Sequence, residues 1–326
     1  MTLRSAANHR AARAGDHAPM HCTRIPTASG LRIALHSLPP PRPLPGEPQA
    51  VLYVHGATFP AQLSMFWRID GVSWADTLAA GGVHVFGFDQ LGFGASDRYA
   101  GDACHGRAPE VAEQVGAAVD HIRRELGVQR VHLVAHSWGT AAAALYATQR
   151  SDTVGRLVLF APLTPRDGPP AATEHPATHL VTLDAQWARF QSYVPAGEAP
   201  VLPRQWFDPW GDAYLRTDPD AAARQPPAVQ LPYGPMADAA CLQAGGELYN
   251  PAAIVAPTLV VRGEWDPWPT EAEAQQLFKR LVNAPPASRY ARLARGTHVM
   301  HLEAHRFALF GKVQQFLLNE TPKGTP

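Results

Sequence analysis

The chain has 326 residues, a formal net charge of zero and only 17% charged residues. That balance leaves no electrostatic footprint for nucleic acid or an anionic membrane, and no apolar run approaches the roughly 20 residues of a transmembrane helix. The cysteines, Cys22, Cys104 and Cys241, are odd in number and lack CxxC spacing, so they read as structural residues of a reducing compartment, and a cytoplasmic protein is expected.

The first 19 residues carry Arg4, Arg10 and Arg13 without the apolar stretch of a secretory signal. An Arg- and Ala-rich start also resembles a transit peptide, but residues 1–23 read better as a flexible extension, with Met20 as an alternative start. Residues 24–35 read as two short antiparallel strands about Ala28-Ser29-Gly30. The proline-dense stretch 39–48 is an extended surface connection. Residues 50–54 form a buried strand ending in His55-Gly56-Ala57-Thr58, where the glycine permits a tight turn. A helix over 73–81 and a strand over 83–88 follow, the strand ending at Asp89. Residues 92–97 form a turn-rich loop, and 109–126 an amphipathic helix that opens on Pro109 and stops at Gly127.

Residues 131–135 form a strand that runs straight into His136-Ser137-Trp138-Gly139 and an Ala-rich helix. Further strands are expected over 156–161, 258–262 and 288–293, and helices over 271–282 and 305–319. Short strands, apolar on both faces and alternating with helices, indicate an α/β fold with a mostly parallel sheet covered on both sides. Its core is expected over 24–162 and 251–326. Between them, 163–250 breaks the alternation, is rich in Pro, Ala and aromatic residues, and shows no clear strand. It reads as an inserted cap or lid that folds back over the sheet edge, some of its rings anchoring it and others lining a pocket.

Function in such sheets gathers at the carboxyl ends of the strands. There, Ser137 is flanked at two residues' distance by Ala135 and Gly139, the G-x-S-x-G nucleophile-elbow pattern with Ala for the first Gly. The alternative is a serine capping the helix. A serine hydroxyl needs a base, and the base an orienting acid. His298, in the loop after the last strand, is the leading base. His301, expected at the start of the final helix, and His305, expected well inside it, are competitors otherwise read as packing or exposed residues. Asp266 is the leading acid, aimed inward by a turn between Gly263 and Pro267; Glu264 competes but reads as a solvated loop residue. The oxyanion of an acyl intermediate needs two donors. These are expected to be the amides of Trp138 and Ala57, with Thr58 second to Ala57, while His55 shapes the loop. Thr58, Phe59, His136, Trp187, Trp206, Trp210 and Trp268 are expected to line an apolar acyl pocket. No G-x-G-x-x-G follows a strand, so no cofactor is expected, nor a metal.

The pieces H-G-A-T at His55, F-D-Q-L-G-F-G-A-S at Phe88, A-H-S-W-G at Ala135, G-E-W-D at Gly263 and G-T-H-V-M-H at Gly296 together resemble the alpha/beta-hydrolase superfamily. The resemblance implies a sheet of about eight strands, a cap inserted after the sixth, a Ser137-Asp266-His298 triad, and structural roles for Asp89 and Asp97. Haloalkane dehalogenases and epoxide hydrolases of the superfamily carry an aspartate at the elbow, where this chain has Ser137. The expected activity is therefore hydrolysis of a carboxylic ester of a small, largely apolar substrate, by a monomer or homodimer. Lactone or carbon–carbon bond hydrolysis uses the same triad. Serine aminopeptidases resemble the chain at S-W-G, but their H-G-G-P-G loop is absent, and they need cap carboxylates, for which Glu174, Asp184, Glu198, Asp208 and Asp212 are available. A catalytically silent binding protein on the same fold is the fourth reading.

Overall fold

The computed structural model describes residues 19–318. The expected extension before residue 19 lies outside them. In chain order the strands are β1 (His21–Pro26), β2 (Arg32–Leu38), β3 (Ala50–Val54), β4 (His84–Asp89), β5 (Val131–His136), β6 (Val154–Phe160), β7 (Thr178–Thr182), β8 (Ala228–Pro232), β9 (Thr258–Gly263) and β10 (Arg289–Leu293). The helices are α1 (Trp74–Ala80), α2 (Ala108–Leu126), α3 (Gly139–Gln149), α4 (Leu183–Ser192), α5 (Arg204–Leu215), α6 (Gly234–Gln243), α7 (Glu271–Arg280) and α8 (Arg306–Leu317).

Eight strands form one sheet in the order β1-β2-β4-β3-β5-β6-β9-β10. From β4 to β10 every pairing is parallel, and β2 joins antiparallel at one side. Every residue of β3 and β9 is buried, as strands covered on both faces must be. One face packs against α2, α3 and α7 through residues such as Val115, Ile122, Ala142 and Leu277. The other packs against α1 and α8, where Trp74 stacks on Phe310 with ring centroids 5.3 Å apart. Capping boxes start α1 (Ser73 with Asp76) and α7 (Thr270 with Glu273), and Gly127, at φ +70°, ends α2 in the left-handed conformation that glycine adopts without strain.

Two expectations need correction. The N-terminal extension does not reach residue 23: His21, Cys22 and Thr23 already pair with Ser37, His36 and Leu35. β1 buries little but Ile25, so its backbone ladder leaves no apolar alternation to read. The segment 163–250 does contain strands: β7 and β8 pair antiparallel, Thr178 opposite Pro232. Around them α4 and α5 build a third apolar cluster, in which Phe190, Phe207, Trp210 and Tyr214 meet Phe59, Val299 and Leu302 of the strand-end loops, while α6 packs Ala239 and Leu242 into the first.

Candidate active site

Ser137 follows β5 with φ +55°, in the left-handed region that costs a β-carbon residue on the order of 1–2 kcal/mol. The chain there is pressed against the end of β3. A Cβ on Gly139 would lie 2.2 Å from the His55 carbonyl oxygen, and one on Gly56 would lie 3.1 Å from the Ser137 Cβ. The Ser137 amide donates to the Phe160 carbonyl at 2.9 Å. The helix-capping alternative is thereby set aside: α3 has no side-chain cap, and the Thr140 amide donates to the Ser137 backbone carbonyl.

The Ser137 Oγ lies 2.7 Å from His298 Nε2, and His298 Nδ1 lies 2.9 Å from Asp266 Oδ1. Relative exposure is 8% for Ser137 and 3% for Asp266. The Trp268 amide donates to Asp266 Oδ1 at 3.0 Å, and the buried guanidinium of Arg262 donates to the Asp266 and Pro269 carbonyls, so the loop after β9 is held from beneath. The Trp265 amide donates to the Gly296 carbonyl and ties this loop to that of His298. Glu264 is engaged elsewhere, accepting from the Arg295 amide at 3.1 Å.

Neither competing histidine sits where expected. His301 lies in a single 3-10 turn, Met300–Leu302, ahead of α8, where it is buried with Nε2 3.3 Å from Ser64 Oγ. Burial, helped by the neighbouring His298, lowers its pKa to about 3. His305 precedes α8, at its N-cap, and is exposed. His136 is buried; its Nε2 donates to the His298 carbonyl at 2.8 Å and so fixes the backbone of His298. His55 donates from Nδ1 to the Gly56 carbonyl and accepts the Gln90 amide at Nε2. Burial lowers its pKa to about 4, which suits a neutral loop-shaping residue.

The Trp138 amide opens α3 and the Ala57 amide lies one residue past Gly56. Among the described residues neither has a hydrogen-bond partner. The Trp138 indole is anchored by Asp238 of α6, whose Oδ2 accepts from Nε1 at 3.2 Å and from the Ala108 amide at 2.7 Å. Asp238 also pairs with Arg107; burial nevertheless raises its pKa.

The expected pocket residues separate into two groups. Thr58, Phe59 and His136 lie at the strand ends beside Ser137. Phe59 meets Trp210 edge-on at 5.3 Å and stacks on His301 at 5.9 Å. Trp210 donates to the Leu63 carbonyl, Trp187 packs on Phe207, Trp206 lies under Arg306, and Trp268 donates to the Thr164 carbonyl. Trp206, Trp210 and Trp268 tie the insertion and its flanking loops to the core, while Trp187 packs within the insertion. Tyr193, which the sequence did not point to, has its ring 5.8 Å from that of His298. Arg189, Asp238 and Glu303 also escaped the sequence reading, since a charged residue on a helix or in a loop gives no sign of facing inward. Among the described residues no group of three His, Cys, Asp or Glu side chains is placed to hold a metal ion, and no helix is long and apolar enough to cross a membrane.

The family model described as alpha/beta hydrolase fold matches residues 49–304. No curated protein matches the chain. Among solved structures, a serine hydrolase involved in carbazole degradation is similar over 93% of this chain and 100% of its own, at TM-score 0.62 and 17% identity. An esterase from Exiguobacterium antarcticum is similar over 91% of this chain and 99% of its own, at TM-score 0.61 and 17% identity. The thioesterase domain of the curacin biosynthetic pathway covers 92% of this chain and 100% of its own, at TM-score 0.57 and 20% identity. At such identities the likeness is one of fold. With the family model spanning β3 to β10, the elbow and the His298 loop, the chain belongs to the alpha/beta hydrolase family.

Proposed function

We propose that the chain is a serine hydrolase that cleaves a carboxylic ester through an acyl-enzyme, with residues 163–250 as the cap over its site. The observation that carries this reading is the continuous hydrogen-bonded path from Asp266 through His298 to a strained Ser137, with links of 2.9 and 2.7 Å. Ser137 Oγ attacks the acyl carbon and passes its proton to His298 Nε2. Asp266 holds the Nδ1–H and stabilises the imidazolium. The negative charge that develops on the acyl oxygen meets the Trp138 and Ala57 amides. His298 then protonates the leaving alcohol. In the second half, His298 takes a proton from water, the hydroxide attacks the acyl carbon, and the acid departs as Ser137 regains its proton.

Carbon–carbon and lactone substrates would use the same machinery, but an aminopeptidase reading loses its support. Glu174, Asp184, Glu198, Asp208 and Asp212 are all exposed, and Asp208 and Glu198 are engaged by Arg204 and Arg295. The free thiols of Cys22, Cys104 and Cys241 fit a reducing compartment such as the cytoplasm. The test is turnover of p-nitrophenyl acetate and butyrate by the wild type and by Ser137→Ala. The variant should lose on the order of 10⁴–10⁶ in kcat. A folded wild type that turns over neither ester, or a variant as active as the wild type, would overturn the reading.

A further inference from the structure

Thr58 lies two residues past Gly56, the residue pressed against Ser137. Its Oγ1 accepts from Arg189 Nη2 at 2.7 Å and from Gln186 Nε2 at 3.4 Å, both on α4 of the insertion. A hydroxyl has two lone pairs and one hydrogen. With both lone pairs occupied, the Thr58 O–H can only donate, and among the described residues it finds no acceptor.

Arg189 is itself incomplete. Nη2 serves Thr58; Nε is buried without a partner, and no carboxylate among the described residues pairs with the guanidinium. Several half-buried arginines elsewhere have an acid: Arg107 has Asp238, Arg166 has Glu273, and Arg224 has Asp218. A charge withdrawn from water without a counter-ion is costly and is kept where something else supplies the ion. The positive charge acts on His136 and Tyr193, whose rings lie 5.4 and 5.8 Å from that of His298, so it is close to the space around that histidine. Phe190 lies under the guanidinium, 5.4 Å from its ring centroid, and holds it in place. A planar fork with free N–H groups beside a free O–H donor is a receptor for a carboxylate.

We infer that the substrate carries a carboxylate as well as its scissile ester, and that Arg189 and Thr58 receive it. The inference rests on the hydrolase reading above and names its substrate class. Two residues span at most roughly 7 Å, so a carboxylate at Thr58 lies within reach of an acyl carbon at Ser137 across a short aliphatic chain. A substrate with a free amine in that position would meet the guanidinium's like charge.

The experiment compares ethyl hydrogen glutarate with ethyl valerate, a pair differing in a terminal carboxylate, with proton release followed in a pH-stat. The wild type should favour the glutarate in kcat/KM. In Arg189→Met the glutarate-to-valerate ratio should fall on the order of 10–100-fold, and Arg189→Lys should recover part of it. Valerate turnover with no preference for the glutarate, or a preference that survives in Arg189→Met, overturns the carboxylate receptor while leaving the hydrolase intact. Should neither ester be cleaved, the hydrolase reading falls, and calorimetry on Ser137→Ala decides the receptor. Binding of ethyl hydrogen glutarate that is lost in Ser137→Ala/Arg189→Met supports it, and absence of binding overturns it.

Discussion

At the scale of single residues, the site depends on side chains whose freedom has been removed by their neighbours. His298 is held at its carbonyl by His136 and at its ring by Asp266, so its Nε2 has no other orientation than toward Ser137. Asp266 does more than hold the ring. In the proposed mechanism it accepts from a proton-bearing Nδ1, which leaves Nε2 as the lone-pair nitrogen that takes the proton of Ser137. In Asp266→Asn the amide can donate to Nδ1, which puts the proton on Nε2, where it cannot accept the serine's. The shape stays nearly the same, so stability should change little, while kcat should fall on the order of 10⁴. Ester turnover and a melting curve, measured on the same sample, check both halves. A loss under tenfold would mean that the carboxylate only braces the loop.

At the scale of elements, the elbow exists because β3 and α3 touch backbone to backbone. The Cβ that Gly139→Ala adds would meet the His55 carbonyl oxygen at 2.2 Å and the Val54 carbonyl oxygen at 2.8 Å. Neither can move without disturbing the sheet. The substitution should therefore cost about 1–3 kcal/mol in chemical denaturation and also lower ester turnover, because α3 carries the Trp138 amide with it. The same contact explains what the sequence could reveal. A small residue forced by backbone leaves a mark, as at Gly139 and Gly56, and so does a strand buried on both faces, as β3, β5 and β9 are. Asp266 was legible because a short acid sits in a turn between glycine and proline. β7 and β8 were not: β7 is half-exposed throughout, and its partner lies some fifty residues on, so neither strand repeats a pattern that its neighbours would reveal. Asp238 and Arg189 were invisible for a related reason. A lone charge on a helix normally faces solvent, and only packing across the chain turns Asp238 onto Trp138 and Arg189 onto Thr58.

At the scale of the whole molecule, the stretch 297–306 joins the His298 loop, the insertion and the core. Thr297 precedes the base, the Ala304 amide donates to the Val201 carbonyl in the insertion, and Arg306 lies over Trp206 while donating to the Ile69 carbonyl. At the centre of this stretch is Glu303, 1% exposed, which accepts both the amide and the hydroxyl of Thr297. Burial outweighs those two bonds and, with the nearby Asp266 charge adding to it, raises the Glu303 pKa from 4.5 to about 7. The folded chain thus holds a proton here that the unfolded chain has already released. The stability it confers is present in full below pH 4.5 and is lost as pH rises to about 7. A rise of this size corresponds to on the order of 3 kcal/mol. Denaturation midpoints at pH 5 and pH 8 should show the wild type less stable at the higher pH. In Glu303→Gln, which has no proton to lose, that difference should shrink by about the same amount. Equal pH dependence in the two proteins would show that Glu303 ionises as freely when folded as when unfolded, and that the junction tolerates a buried anion five residues from His298.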